Sequence, residues 1–336
     1  MLSNDFSVGA DKALACIFAL SGMEVSEAER ALFRAAKPFG FILFKRNIDN
    51  PAQVKALVHD LKGIVGRDCP VLVDQEGGRV ARLCPPHWRD YPPMKDFGDL
   101  YLIAPEQALE NLRFETFRLA DDLVDLGINV DCAPVLDILV DGAHDIVGDR
   151  SFSDAPEIVA RLGLSACRHF LRSGVTPIIK HIPGHGRARA DSHLELPRVG
   201  TSYDVLSNTD FAPFRDIAAS DVGRAVWAMT AHIVFDDVDA DHPVSVSEQA
   251  IENVIRTDIG FDGILIADDL DMKALDCYGG VSEKAMASLN AGCDLALYCA
   301  GELSKMEELA ENLPVLNEIT LKRLQNAAMH GILQIC

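Results

Sequence analysis

The nine cysteines contain no C-x-x-C spacing, the ten histidines contain no H-x-H or H-E-x-x-H pattern, and the 336-residue chain has no long uninterrupted apolar run. Each absence excludes something. Without about 18 consecutive apolar residues there is no segment to span a bilayer as a helix. An odd set of unpatterned cysteines (Cys16, Cys69, Cys84, Cys132, Cys167, Cys277, Cys293, Cys299 and Cys336) argues against a disulfide framework and for a reducing compartment. Met1 to Ala10 carries Asn4 and Asp5 but no basic stretch followed by an apolar one, so no secretory leader is expected and the cytoplasm is the expected location. Basic residues are also scarce: 31 Lys and Arg stand against 51 Asp and Glu, a net charge of −20. A phosphate backbone or an anionic membrane surface would be repelled over most of such a molecule, so neither nucleic acid nor membrane is an expected partner. No Gly/Pro/Ser-rich linker, charge block or low-complexity tract marks a boundary, and residues 1–336 are read as one domain.

What the chain has is a regular alternation. Eight short apolar runs (Cys16–Leu20, Phe41–Phe44, Val71–Val73, Ile128–Val130, Pro177–Ile179, Ala225–Met229, Ile264–Ala267 and Leu295–Leu297) alternate with amphipathic stretches. One stretch has Asn50 as its N-cap, Pro51 at the first helical position and Val54, Leu57, Val58 and Leu61 on one face. Another starts near Pro105 and stops at Gly127, a glycine suited to the left-handed position after a helix. Eight β/α repeats over this length predict an α/β fold, a single (β/α)8 TIM barrel, with the helical tail from Glu302 onward closing the outer ring. Polar residues fall where the apolar runs end: Lys45 and Arg46, Asp74, Asp131, Lys180 and His181, His232, and Asp268. In a barrel those positions share one rim, where catalytic groups collect.

Lys180 to His193 reads KHIPGHGRARADSH. Pro183, Gly184 and Gly186 interrupt regular structure, and a loop with no apolar face to pin it carries Asp191 and His193. Asp191 can accept from one ring nitrogen of His193 and leave the other to exchange a proton near neutral pH, which equips the pair for general acid/base work. His181, His185 and His193 could instead ligate a metal, but Lys180 would set an ammonium beside it. Asp268 and Asp269 follow an apolar run; one can cap the next helix while the other acts as a nucleophile. In DQEGGRVAR, Asp74 to Arg82, a carboxylate can accept from vicinal hydroxyls and an arginine fork can clamp a hydroxyl or carboxylate. Arg150, in VGDRSF, says little by itself.

Together KHIPGHGRARADSH, DQEGGRVAR, VGDRSF (Val147 to Phe152), MTAHIVF (Met229 to Phe235) and ADDLDM (Ala267 to Met272) resemble the family 3 glycoside hydrolases, specifically the bacterial β-N-acetylhexosaminidases of peptidoglycan recycling. The resemblance runs from about Gly40 to Tyr298 with the motifs in the family's order. It implies Asp268 as nucleophile, His193 as acid/base and Asp191 as its partner. It implies Asp74, Arg82, Arg150, Lys180 and His181 as sugar-binding residues, and no metal or cofactor. The implied substrate is N-acetylglucosamine linked to anhydro-N-acetylmuramic acid, with or without peptide, a small-molecule muropeptide. Ala267 and Asp271 stand where the family commonly has Ser, and Asp149 where it often has Glu. Arg187 and Arg189 make the loop unusually basic. A β-glucosidase of the same family, a metal-dependent amidohydrolase-like barrel and a sugar-binding protein without turnover are the alternatives. The loop from Pro183 to Pro197 is expected to close over substrate, with Gly184 and Gly186 supplying unusual backbone angles.

Overall fold

The computed structural model describes residues 4–188 and 196–335. All eight apolar runs form parallel strands: β1 Leu14–Ala19, β2 Pro38–Leu43, β3 Val71–Val73, β4 Val130–Asp131, β5 Thr176–Ile182, β6 Trp227–Thr230, β7 Leu265–Ile266 and β8 Ala296–Tyr298. Their order in the sheet is β7-β6-β5-β4-β3-β2-β1-β8. A parallel bridge between Ile266 and Leu295 joins the two ends and closes a (β/α)8 barrel.

Why the strands read as unbroken apolar runs is visible in β1. Ala15, Ile17 and Ala19 point into the barrel, where they meet Phe39, Ile178 and Trp227. Cys16, Phe18 and Leu20 point outward, into the layer shared with Phe33, Val54 and Leu61 of the covering helices. Both faces are dry, so a strand of this kind loses the polar alternation of a half-exposed sheet. Phe6 plugs the barrel's lower end, its ring edge-on to Trp227 at 5.5 Å.

The helical ring follows from local sequence. Helix α1 (Glu27–Ala36) opens with a reciprocal capping box between Ser26 and Glu29. In α2 (Pro51–Val65) the Asn50 side chain accepts from the Gln53 amide, and Val54, Leu57, Val58 and Leu61 are buried as their spacing requires. Helix α3 (Met94–Ile103) leads directly into α4 (Pro105–Leu126), which ends on Gly127 at φ 81°. Then come α5 (Pro156–Arg172), two short helices α6 (Tyr203–Asn208) and α7 (Ala212–Ala218), and a π-helical segment Ala250–Asp258. Finally α8 (Val281–Ala291), α9 (Leu303–Asn312) and α10 (Glu318–Ile335) complete the ring. The tail is helical, as its periodicity predicts. No helix among the described residues is long and apolar enough to cross a membrane.

Candidate active site

The C-terminal ends of the strands surround a cavity with about 830 Å³ of free space, walled by side chains from β2 through β8 and the loops that follow them. Asp74 follows β3, and the chain then turns back as a hairpin, Gln75–Gly77 against Val80–Ala81. Gly77 sits at φ 95° with the Pro92 carbonyl so near that a β-carbon would lie 2.3 Å from it, so only glycine fits this turn. The hairpin delivers Asp74, Glu76 and Arg82 to one wall.

These side chains form one ionic network. Lys180 Nζ, nearly fully buried on β5, reaches Asp74 Oδ1 at 2.9 Å and Glu76 Oε1 at 2.6 Å. Arg82 Nη2 takes the other Asp74 oxygen at 2.9 Å. Arg150 grips Glu76 with two parallel hydrogen bonds, Nε to Oε2 and Nη2 to Oε1, both 2.8 Å. Burial is the largest single influence and would raise the Asp74 and Glu76 carboxyls, but Lys180 together with Arg82 at one and Arg150 at the other outweighs it, and both stay below the usual carboxylate range. Burial likewise disfavours the Lys180 ammonium, and the same two carboxylates overcome it and hold its pKa above normal. All three groups, Asp74, Glu76 and Lys180, remain charged at neutral pH.

A second cluster lies beside it. Asp137, fully buried, accepts from His181 Nδ1 at 2.7 Å and from the backbone amides of His181 (3.1 Å) and His185 (2.7 Å). Those bonds fix the His181 ring and leave Nε2 as its remaining polar atom on a residue that lines the cavity. His185 also lines the cavity, with Nε2 buried and without a hydrogen-bond partner. Burial, then the neighbouring His181, push its pKa down to about 4, so the ring is neutral.

Asp268 and Asp269 follow β7 on the opposite wall. The two carboxylates have different surroundings. Asp269 Oδ1 accepts from the amides of Asp271 and Cys299, each at 3.1 Å, and so ties the turn after β7 to the end of β8. Burial raises its pKa to about 6 despite those amides, with the Asp268 charge adding to the rise. Asp268 Oδ1 accepts from the Asp269 amide at 2.8 Å, and its own amide is 3.4 Å from Thr230 Oγ1. His232, fully buried, donates from Nε2 to the Asp269 carbonyl at 3.0 Å and takes Ser245 Oγ at Nδ1, 2.6 Å away. Neither aspartate caps a helix, since the next helical turn begins at Lys273 behind Met272; Asp269 holds a turn instead.

Of the residues singled out in the sequence, Asp74, Arg82, Arg150, Lys180, His181 and Asp268 all line this cavity. Asp191 and His193 lie outside the described residues. Asp131 does not line the cavity: it is buried, and its Oδ1 receives the Gln75 amide at 3.0 Å, holding the base of the hairpin. His232 is likewise a support rather than a rim group. Lys45 and Arg46 occupy a 3-10 turn, where Arg46 bonds to the carbonyls of Leu20 and Cys299. Glu76, Asp137 and Asp269 were not given these roles from sequence. The one signal for Asp137 is a lone carboxylate inside the apolar run Val135 to Val140.

The expectation that the Pro183–Pro197 loop lacks an anchor is corrected for its first half. Arg187 Nε is 2.7 Å from the buried carboxylate of Asp210, and Ala188 is 1% exposed within the core. Gly184 has the expected unusual φ, 146°, but Gly186 is needed for space: a β-carbon there would lie 2.0 Å from the Ile138 carbonyl. Among the described residues no group of three His, Cys, Asp or Glu is arranged to hold a metal ion.

A closed (β/α)8 barrel with paired aspartates and a buried cation-carboxylate network at its C-terminal mouth belongs to the barrel hydrolases. Residues 14–333 match the glycosyl hydrolase family 3 N terminal domain, and the chain belongs to that family. A relative named beta-hexosaminidase from Tolumonas auensis is 36% identical over 91% of this chain and 90% of its own length. Another, from Methylobacillus flagellatus, is 34% identical over 92% and 86%. NagZ from Neisseria gonorrhoeae, solved in complex with N-trifluoroacetyl-D-glucosamine, superposes with a TM-score of 0.85 at 33% identity, over 94% of this chain and 90% of that one. The family 3 β-N-acetylglucosaminidase from Paenibacillus sp. str. FPU-7 covers all of this chain with a TM-score of 0.84 at 29% identity, and this chain spans 62% of that protein.

Proposed function

We propose that the protein is a retaining exo-β-N-acetylglucosaminidase that removes terminal N-acetylglucosamine from N-acetylglucosaminyl-1,6-anhydro-N-acetylmuramic acid, with or without its peptide. It acts in the cytoplasm during peptidoglycan recycling, and residues 1–336 work as one catalytic domain without metal or cofactor. The observation that carries the reading is the different bonding of two adjacent aspartates that both line the cavity: Asp269 Oδ1 ties together two segments through the amides of Asp271 and Cys299, while Asp268 Oδ1 takes the neighbouring Asp269 amide. Beta-hexosaminidase relatives over most of the chain's length support the amino-sugar assignment.

In this reading Asp268 attacks the anomeric carbon while His193, oriented by Asp191, protonates the departing oxygen. Water deprotonated by His193 then releases the sugar from its ester with Asp268. Asp74 and Arg82 bind ring hydroxyls, and Arg150, Lys180 and His181 complete the sugar subsite, with His181 steadied by Asp137. The metal-dependent alternative is disfavoured because the Lys180 ammonium already sits between the Asp74 and Glu76 carboxylates, where it would repel a cation.

A chromogenic β-N-acetylglucosaminide should be hydrolysed well and the matching β-glucoside poorly, and a slow 5-fluoro glycoside should leave its label on Asp268. Preference for the glucoside overturns the substrate, and label on Asp269 overturns the nucleophile. His193→Ala should harm substrates with poor leaving groups far more than activated aryl glycosides; equal losses contradict the acid role.

A further inference from the structure

Away from the barrel mouth, α4 and α5 leave a groove with about 1270 Å³ of solvent-open space, and four arginines line it: Arg113 on α4 and Arg161, Arg168 and Arg172 on α5. The spacing of 161, 168 and 172, with Ser165 between, puts them in one row along α5. Two of the four are partly satisfied: Arg168 is 2.7 Å from Asp221, and Arg113 is 3.8 Å from Glu110. Arg161 and Arg172 form no hydrogen bond or ion pair among the described residues. His169, 8% exposed, also lines the groove, and its Nδ1 is buried with no partner.

In a chain of net charge −20 such a concentration of guanidinium groups is out of character. Glu106, Glu110 and Asp221 line the groove too, but Glu110 and Asp221 are engaged by Arg113 and Arg168, and because screening at physiological salt cuts off charges beyond about 8 Å, the local excess of arginine over carboxylate sets the potential there. Burial, and after it Arg172, Arg113 and Arg168, push the His169 imidazole down to about 4, which reports the same positive field. Guanidinium forks engage phosphate oxygens in pairs. Arg161 and Arg172 are eleven residues apart, about 16 Å along the helix axis, too far for one small anion to satisfy both. An elongated anion is required.

We infer that the α4–α5 groove is a second binding site, remote from the barrel mouth, for a small molecule carrying a chain of linked phosphates. Arg161 and Arg172 hold its two ends, while Ser165 and Gln107 add neutral donors along it.

Titration calorimetry of the whole protein with linear inorganic hexapolyphosphate, long enough to reach from Arg161 to Arg172, tests this. Saturable one-to-one binding is expected, weakened at least tenfold in Arg161→Gln/Arg172→Gln and weakened by added salt, with glycosidase turnover unchanged in the variant. On wild-type protein the His169 ring resonance should shift on addition of hexapolyphosphate, which decides the matter if the double variant fails to fold. Absence of saturable binding, equal affinity in the variant, or an unmoved His169 resonance overturns the site. Tighter binding of poly-glutamate or of a single-stranded oligonucleotide than of hexapolyphosphate overturns the ligand.

Discussion

Glu76 is the member of the ionic network whose removal does most damage for the smallest change in shape. Glu76→Gln keeps the volume of a side chain that is 2% exposed but exchanges an anion shared by Lys180 and Arg150 for a neutral amide. Lys180 retains Asp74; Arg150 keeps only the Ile146 carbonyl, at 3.0 Å. Stripping one partner from a buried pair costs about 3–5 kcal/mol, because the other charge stays buried and uncompensated. An unfolding entropy of about 2.1 cal/mol/K per residue sums to about 0.7 kcal/mol per degree over this chain, so Tm should fall by about 4–7 °C. Turnover should suffer too. A displacement of about 1 Å in groups that grip substrate costs roughly a hundredfold in kcat/KM, and both cations lose the carboxylate that aims them. The double variant Glu76→Gln/Arg150→Met separates the two effects: it removes the stranded cation and should recover part of the Tm loss while leaving kcat/KM low. Calorimetric melting and steady-state kinetics on a chromogenic N-acetylglucosaminide read both. A Tm within one degree of wild type and kcat/KM within threefold for Glu76→Gln would refute the argument.

Asp268→Ala should lose several orders of magnitude in kcat with Tm unchanged within about 2 °C, whereas Asp269→Ala should lower Tm, because two backbone amides lose their acceptor; the opposite pattern would exchange the two roles. Stability should vary with pH in two windows. Asp269, raised to about 6 in the folded protein, adds stability when protonated, fully present below the unfolded carboxyl value near 4 and lost as pH rises through 6. Asp74 and Glu76, held low, contribute stability present above that unfolded range and lost as pH falls through their folded values. Melting curves across pH should therefore show Asp269→Asn flattening the upper window alone. Gly186→Ala drives a methyl group into the Ile138 carbonyl and should cost about 1–3 kcal/mol together with activity, measured by urea unfolding and turnover; a neutral result would mean the loop base shifts freely.

The barrel was legible because strands dry on both faces and helices with one apolar stripe leave different periods in a sequence. Val71–Val73 is the same in both readings, and Asn50, Pro51 and Gly127 mark the helix ends they predict. Strand limits were less legible. β5 runs on to Ile182, so Lys180 and His181 lie within the strand and not after it. Contacts distant in sequence were not legible at all. Glu76 meets Arg150 across 74 residues and Asp137 meets His181 across 44, and no local pattern encodes either. The same reason explains Asp131 and His232: a polar residue at a strand end can aim into the cavity or brace a neighbouring segment, and only the partner 56 or 37 residues away decides.

The two concentrations of cations in this protein illustrate how pairing sets what a pocket can take. At the barrel mouth Arg82, Arg150 and Lys180 each already bond to Asp74 or Glu76. Their charge is largely neutralised in place, and Asp268 and Asp269 add further negative charge to the opposite wall. An anion entering there would displace existing ion pairs and face two carboxylates, while an uncharged ring rich in hydroxyls can donate to Asp74 without breaking anything. In the α4–α5 groove Glu106, Glu110 and Asp221 stand among four arginines, but Arg161 and Arg172 have no carboxylate to release before they engage a ligand. The barrel mouth therefore favours a neutral sugar and the helical groove an anion, although both sit in one strongly acidic chain, because charge acts over the distance to its nearest partner and not over the whole surface.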